Sequence, residues 1–156
     1  MAGDERIDDA DWRTIVRTVP IVSVDLVVRH GDAVLLGRRT NEPAAGEWFV
    51  PGGRVHKNER LADAVHRIAG EEVGTAVTIE RQLGVYEHFW ETAAVAADLE
   101  KHYVPVAYLV TADGIPIDPD DQHDRVRWFE PPFDDLDLHH YVATYLEDAG
   151  ILSGSS

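Results

Sequence analysis

Cysteine is absent from the 156 residues. Disulfides, thiolate metal sites and a cysteine nucleophile are thereby excluded, and any metal must be held by oxygen or imidazole, which favours a hard cation. Positive charge is scarce as well: 14 arginines and lysines stand against 29 aspartates and glutamates, for a net charge of −15, and the only lysines are Lys57 and Lys101. Such an excess argues against non-specific binding to polyanions, so no nucleic-acid partner is expected. A solvated acidic surface accounts for it, and so does adaptation to a salty cytosol, where screening suppresses self-repulsion. No run approaches the ~18 apolar residues of a membrane span, and the N-terminal MAGDERIDDADW is charged where a secretory signal needs an apolar core. The expectation is a cytoplasmic protein with no membrane partner, from a salt-adapted cell if the acidity reflects salt.

What is present suffices for one core. With 44% hydrophobic residues, the chain reads as a single domain over 1–156, with loose ends at 1–8 and 151–156. Trp12, Ile15, Val16 and Val19 fall at helical spacing behind a group of aspartates, which predicts a helix over 9–19. PIVSVDLVVRHGDAVLLGRR predicts two strands joined at His30-Gly31-Asp32, with Asp25 the one charge in the apolar run. The Pro/Gly/Ala-rich TNEPAAGE leads to a short strand, Trp48-Phe49-Val50, and then to Pro51-Gly52-Gly53. From Asn58 to Val73, the residues Leu61, Ala64, Val65, Ile68 and Ala69 follow a helical period that Gly74 stops. Strand-like runs at 76–79, 83–90, 102–110 and 125–129 and a closing helix over 138–146 complete an α/β pattern of layers.

The chemistry concentrates after Gly52-Gly53. There Gly53, Glu59, Arg67, Glu71, Glu72 and Gly74 stand at fixed spacings across a glycine turn and the helix that follows. On a regular helix Glu72 lies one turn below position 68, and Arg67 one turn above Glu71. Grouped glutamates supply hard oxygen ligands for Mg²⁺, with Mn²⁺ an alternative, and the ion neutralises a bound diphosphate. For Arg67 and Glu71 a solvated salt bridge is an equal reading. Asp25 in an apolar strand needs a partner, and Arg39 or Arg54 would serve. His88 and Tyr103 read equally as hydrogen-bonded core edges, and Trp48 and Phe49 read as core.

These residues resemble the Nudix signature, G-x5-E-x7-R-E-U-x-E-E-x-G-U with U aliphatic, matching it except that Ile68 replaces the glutamate after the arginine and Ala69 and Thr75 are weak aliphatics. The resemblance implies a Nudix-type α/β/α sandwich with a mixed sheet. Through VPIVSVDLVV, LLGRRTNEPAAGEWFVPGGRVHKNE, GVYEHFW, KHYV and DDQHDRVRW, the chain also resembles the GDP-mannose mannosyl hydrolases, whose box has lost the same glutamate.

That likeness implies attack of water at sugar C1 with inversion, releasing GDP from GDP-mannose or GDP-glucose. By the same matching, His123 is the base. Glu72, Gln122 and the Gly52 carbonyl hold Mg²⁺, with Glu71 and Glu59 as further candidates. Arg54, Arg39 and Arg67 face the diphosphate, and Asp25, His88 and Tyr103 contact sugar or diphosphate. A homodimer is implied, and the stripe of the first helix would equally cover its own sheet. The alternatives are an ordinary Nudix diphosphatase cleaving a phosphoanhydride and a non-catalytic nucleotide-sugar binding protein.

Overall fold

The computed structural model describes residues 7–38, 47–90, 101–114, 126–133 and 138–151. The expected base His123, the expected metal ligand Gln122, the expected diphosphate contact Arg39 and the Ala-rich stretch 91–100 lie outside them. The chain opens with helix α1, Asp9–Thr18, whose end is capped by Asp8 accepting a hydrogen bond from the Asp11 N–H at 2.9 Å. Its stripe meets the chain's own sheet: Val16 is buried, and the Lys101 ammonium stands 6.0 Å from the centre of the Trp12 ring.

The sheet is built around β1, Ile21–His30. On one side β1 runs parallel to β7, Lys101–Ala112; on the other it pairs antiparallel with β2, Ala33–Arg38, and with the short β4, Gly52–Arg54. Flanked by strands and covered on both faces over residues 23–28, β1 is buried there, which is why its sequence is an almost unbroken apolar run. The order β3-β2-β1-β7-β5 is completed by β3, Trp48–Phe49, and β5, Val77–Val85, while β6, His88–Trp90, pairs with β7 and β8, Arg127–Phe129, with β2. The strand expected over 83–90 is thus two strands, divided at Tyr86-Glu87 after two register shifts in β5.

Alternation along β1 sorts the core into two layers. Val24, Leu26 and Val28 pack with Val106, Tyr108 and Val110 of β7 against helix α2, Leu61–Ile68. On the opposite face Val27 packs with Ala107 and Leu109 against helix α3, His140–Asp148, through Val142, Tyr145 and Leu146. The expected α/β/α sandwich with a mixed sheet is the observed one.

Two expectations for the box helix are corrected. It begins at Leu61 rather than Asn58, because Asn58 adopts the left-handed conformation, φ 68°, inside a turn. It also does not run regularly to Val73: after Ile68 the backbone widens into one π-helical turn, Ala69–Val73, closed by the Gly74 N–H bonding to the Ala69 carbonyl at 3.0 Å. Gly74 itself has φ 85°, which glycine adopts without steric penalty. In the wider turn Val73, rather than Glu72, joins Ile68 in the core, and Glu72 stays only partly buried.

Candidate functional site

The box is organised by Arg67. Its Nε and Nη2 donate to the two carboxylate oxygens of Glu59 at 2.8 and 3.0 Å, Nη2 also donates to the Arg54 carbonyl at 2.9 Å, and Nη1 reaches Glu71 at 3.2 Å. This forked pair is the geometry a guanidinium favours with a carboxylate. Glu59 in addition accepts from the His56 N–H at 3.0 Å, which ties the turn before the helix to the helix itself. Hydrogen bonding from Arg67 holds the Glu59 carboxyl below its ordinary range. Both Glu59 oxygens are therefore engaged within the box, and Arg67 turns its guanidinium toward Glu59, Glu71 and the backbone of β4.

Ile68 occupies the position of the missing glutamate. It is 1% exposed, packed among Val24, Val65 and Val73, and a Cβ built on Gly53 would lie 3.4 Å from its Cδ1. The side chains of that cluster are predominantly apolar and would solvate a carboxylate poorly.

The cleft lies on the other face of β4. Opposite residues of an antiparallel pair share a face, so the register Ser23↔Arg54 and Asp25↔Gly52 sets Arg54 and Asp25 on the α3 side while Gly53 faces α2. A cleft of about 200 Å³ opens there, lined by Ser23, Asp25, the Gly52-Gly53 backbone, Arg54, His88 and Tyr103, with Phe49, Val50 and Trp90 as its apolar wall. Residues singled out in the sequence are thus brought together: Asp25, Gly52, Gly53, Arg54, His88 and Tyr103. Glu59, Arg67, Glu71 and Glu72 do not line it. Gly52 admits no side chain here, since a Cβ would fall 2.2 Å from Asp25 Oδ1 and 2.8 Å from the Val24 carbonyl.

One residue behind the cleft was not singled out. Tyr145 of α3, fully buried, places its hydroxyl 2.6 Å from Asp25 Oδ2 and 3.3 Å from His88 Nε2. Asp25, expected to need a partner, has the Tyr145 phenol as one hydrogen-bond donor. The one available signal was a tyrosine in the apolar stripe of a closing helix, because a buried phenol needs a partner. His88 lies flat on Tyr141 at 3.7 Å between ring centres, and burial, joined by the nearby His139 and His140, pushes its pKa down to about 4. Phe49 is both core and cleft wall, as its burial and position show, whereas Trp48 sits edge-on to Phe129.

Among the described residues, no three histidine, aspartate or glutamate side chains converge on one metal-sized site. Of the expected ligands, Glu72 is partly buried on the box and Gly52 lines the cleft, while Gln122 lies outside the described residues.

An α/β/α sandwich whose glycine turn feeds an arginine-braced, glutamate-bearing helix defines a Nudix-type hydrolase scaffold. Residues 19–145 match the NUDIX domain family, and the chain belongs to it. Among its relatives is the low-salt glycan biosynthesis protein Agl8 of Haloferax volcanii, 54% identical over 142 residues, covering 91% of this chain and 90% of the relative. An ADP-ribose pyrophosphatase of Methanocaldococcus jannaschii is 27% identical over 111 residues, 71% of this chain and 62% of that protein. The crystal structure of a MutT NUDIX hydrolase from Burkholderia pseudomallei superposes with a TM-score of 0.65 at 32% identity, over 83% of this chain and 97% of the other. No described helix is long and apolar enough to cross a membrane.

Proposed function

We propose that the protein hydrolyses a nucleoside diphosphate sugar, GDP-mannose or GDP-glucose, at the glycosyl carbon: water adds to C1 with inversion, and the C1–oxygen bond breaks with its electron pair leaving on intact GDP. The observation that carries this reading is Ile68, sealed in the core at the box position where a carboxylate would otherwise add to the metal-binding charge. With fewer carboxylates to activate water at phosphorus, chemistry at carbon is the simpler use of the scaffold. The glycan biosynthesis named for the relative that is 54% identical supports a sugar substrate.

In this reading Arg54 faces the diphosphate, where a guanidinium pairs well with phosphate oxygens. The β4 strand that carries Arg54 is held from behind by Arg67 through the Arg54 carbonyl. Asp25, His88 and Tyr103 meet the sugar, and His123 accepts the proton of the attacking water, a task suited to an imidazole. Arg39 adds a second cation toward the diphosphate. Glu72, the Gly52 carbonyl and Gln122 would hold Mg²⁺ or Mn²⁺, which when bound neutralises charge on the departing GDP.

Hydrolysis in ¹⁸O water tests the reading: label in the free sugar supports it, and label in GDP or in a phosphorylated product refutes it. His123→Ala is expected to lower kcat by about 10²–10⁴ while binding of Mg²⁺-GDP persists; unchanged turnover would remove His123 from the mechanism. Adjacent, partly accessible Glu71 and Glu72 favour one other reading, phosphoanhydride cleavage of a nucleoside diphosphate derivative, in line with the pyrophosphatase relative. Sugar phosphate among the products would identify that reaction.

A further inference from the structure

We propose that Tyr145 is a positioning residue of the cleft, whose hydroxyl orients the Asp25 carboxylate and fixes His88 as the tautomer protonated on Nε2, so that the imidazole presents Nδ1 as an acceptor for a hydroxyl-bearing ligand.

The assignment follows from counting protons. A phenol has one hydrogen to donate, and a carboxylate can only accept. At 2.6 Å from Asp25 Oδ2, the Tyr145 hydroxyl gives its hydrogen to Asp25. Its remaining contact, 3.3 Å to His88 Nε2, is then a hydrogen bond only if Nε2 carries the hydrogen and the phenol oxygen accepts it. A neutral imidazole has a single N–H, so Nδ1 is left with its lone pair. Burial, followed by the charge on Asp25, holds the phenol protonated, and burial likewise holds the His88 ring neutral at pH 7.

The three groups have little room to rearrange. Tyr145, Asp25 and His88 are 0%, 8% and 3% exposed, and the His88 ring is clamped by the parallel ring of Tyr141 and by the edge-on rings of Phe49 and Trp90. Nδ1 has no hydrogen-bond partner among the described residues, and His88 lines the cleft. The three residues come from β1, β6 and α3, so the arrangement exists only in the folded chain. The tautomer belongs to the ligand-free protein, whereas its consequence for a sugar hydroxyl rests on the function proposed above.

Imidazole ¹⁵N spectra of the ligand-free protein at pH 7 test the assignment. The expected wild-type result is His88 protonated on Nε2, and Tyr145→Phe, which keeps the ring and removes the hydroxyl, is expected to give mixed or reversed tautomers. Protonation on Nδ1 in the wild type, or an unchanged spectrum in the variant, would overturn the proposal. If Tyr145→Phe fails to fold, the wild-type spectrum still decides, together with the Tyr145 hydroxyl proton, which is expected downfield and slow to exchange; a rapidly exchanging proton would count against the bond to Asp25. In kinetics, Tyr145→Phe is expected to raise KM for a nucleotide sugar about tenfold and to leave inhibition by GDP unchanged. Equal loss of both would show a loosened fold and reject the positioning role. An Nε2-protonated His88 in a protein that turns over no nucleotide sugar would sink the proposed reaction and leave the tautomer assignment standing.

Discussion

Glu59 and Asp25 are carboxylates on opposite sides of β4, and they are held by contrasting donors. Glu59 receives a forked guanidinium from Arg67 at 2.8 and 3.0 Å, in a partly buried setting at the base of the box helix. Asp25, buried beside the cleft, receives the neutral hydroxyl of Tyr145 at 2.6 Å. A guanidinium neutralises as it binds, so Glu59 becomes a fastener that locks turn, helix and β4 together. A phenol orients and adds no charge of its own, so the Tyr145 hydroxyl fixes the direction of the Asp25 carboxylate beside the cleft that it lines. A forked guanidinium fastens neighbouring elements, whereas a single phenol hydroxyl sets the direction of one carboxylate oxygen.

The comparison is broken most severely at Ile68, the residue packed behind both sites. Ile68→Glu is expected to cost about 4 kcal/mol in urea unfolding, since it places a carboxylate in an apolar cluster. An unchanged midpoint with tighter binding of divalent metal would show instead that position 68 reaches the metal side of the box. Next comes Arg67→Ala, expected to cost about 3 kcal/mol because it leaves Glu59 unpaired and removes a donor from the Arg54 carbonyl. A loss under ~0.5 kcal/mol, the worth of an exposed pair, would mean that the fastener is ornamental.

The smallest expected effect sharpens the contrast through pH. His88 has a folded pKa of about 4 against an ordinary 6.5, so the unfolded chain takes up its proton first as pH falls. The corresponding stability is complete above pH 6.5 and declines on the way to pH 4, by about 2 kcal/mol between pH 6.5 and 5. Glu59 has a lowered pKa, so its contribution is complete above its ordinary 4.5 and is lost only below that, as pH falls through the folded value. The cleft thus weakens in mild acid and the box in stronger acid. Melting wild type and His88→Asn at pH 7 and pH 5 checks this: the variant should lose about 2 kcal/mol less, and equal losses would assign the mild-acid window to other groups.

The box could be read residue by residue because its parts lie within one turn and one helix, where spacing along the chain is nearly spacing in space. Even there, the regular-helix expectation put Glu72 beneath position 68, and the π-helical turn moved Val73 into that place. Asp25 was conspicuous as a charge in an apolar strand, but the identity of its donor was not. Tyr145 lies 120 residues away and looks like any aromatic of an amphipathic helix. His88 and Tyr103 could be named by resemblance, but neighbouring cross-strand positions 88 and 103 become one wall of a cleft only through the pairing of β6 with β7.

By itself the sequence determined the α/β layering, the glycine turn and the arginine-braced glutamates, because these depend on local periodicity, turn chemistry and contacts a few residues apart. Only the tertiary structure decided which face of β4 each residue serves, that Ile68 belongs to the core, and that a phenol from the last helix meets a carboxylate from the first strand. Pleat alternation and strand register convert distant positions into neighbours, and no composition or spacing within a single element encodes that conversion.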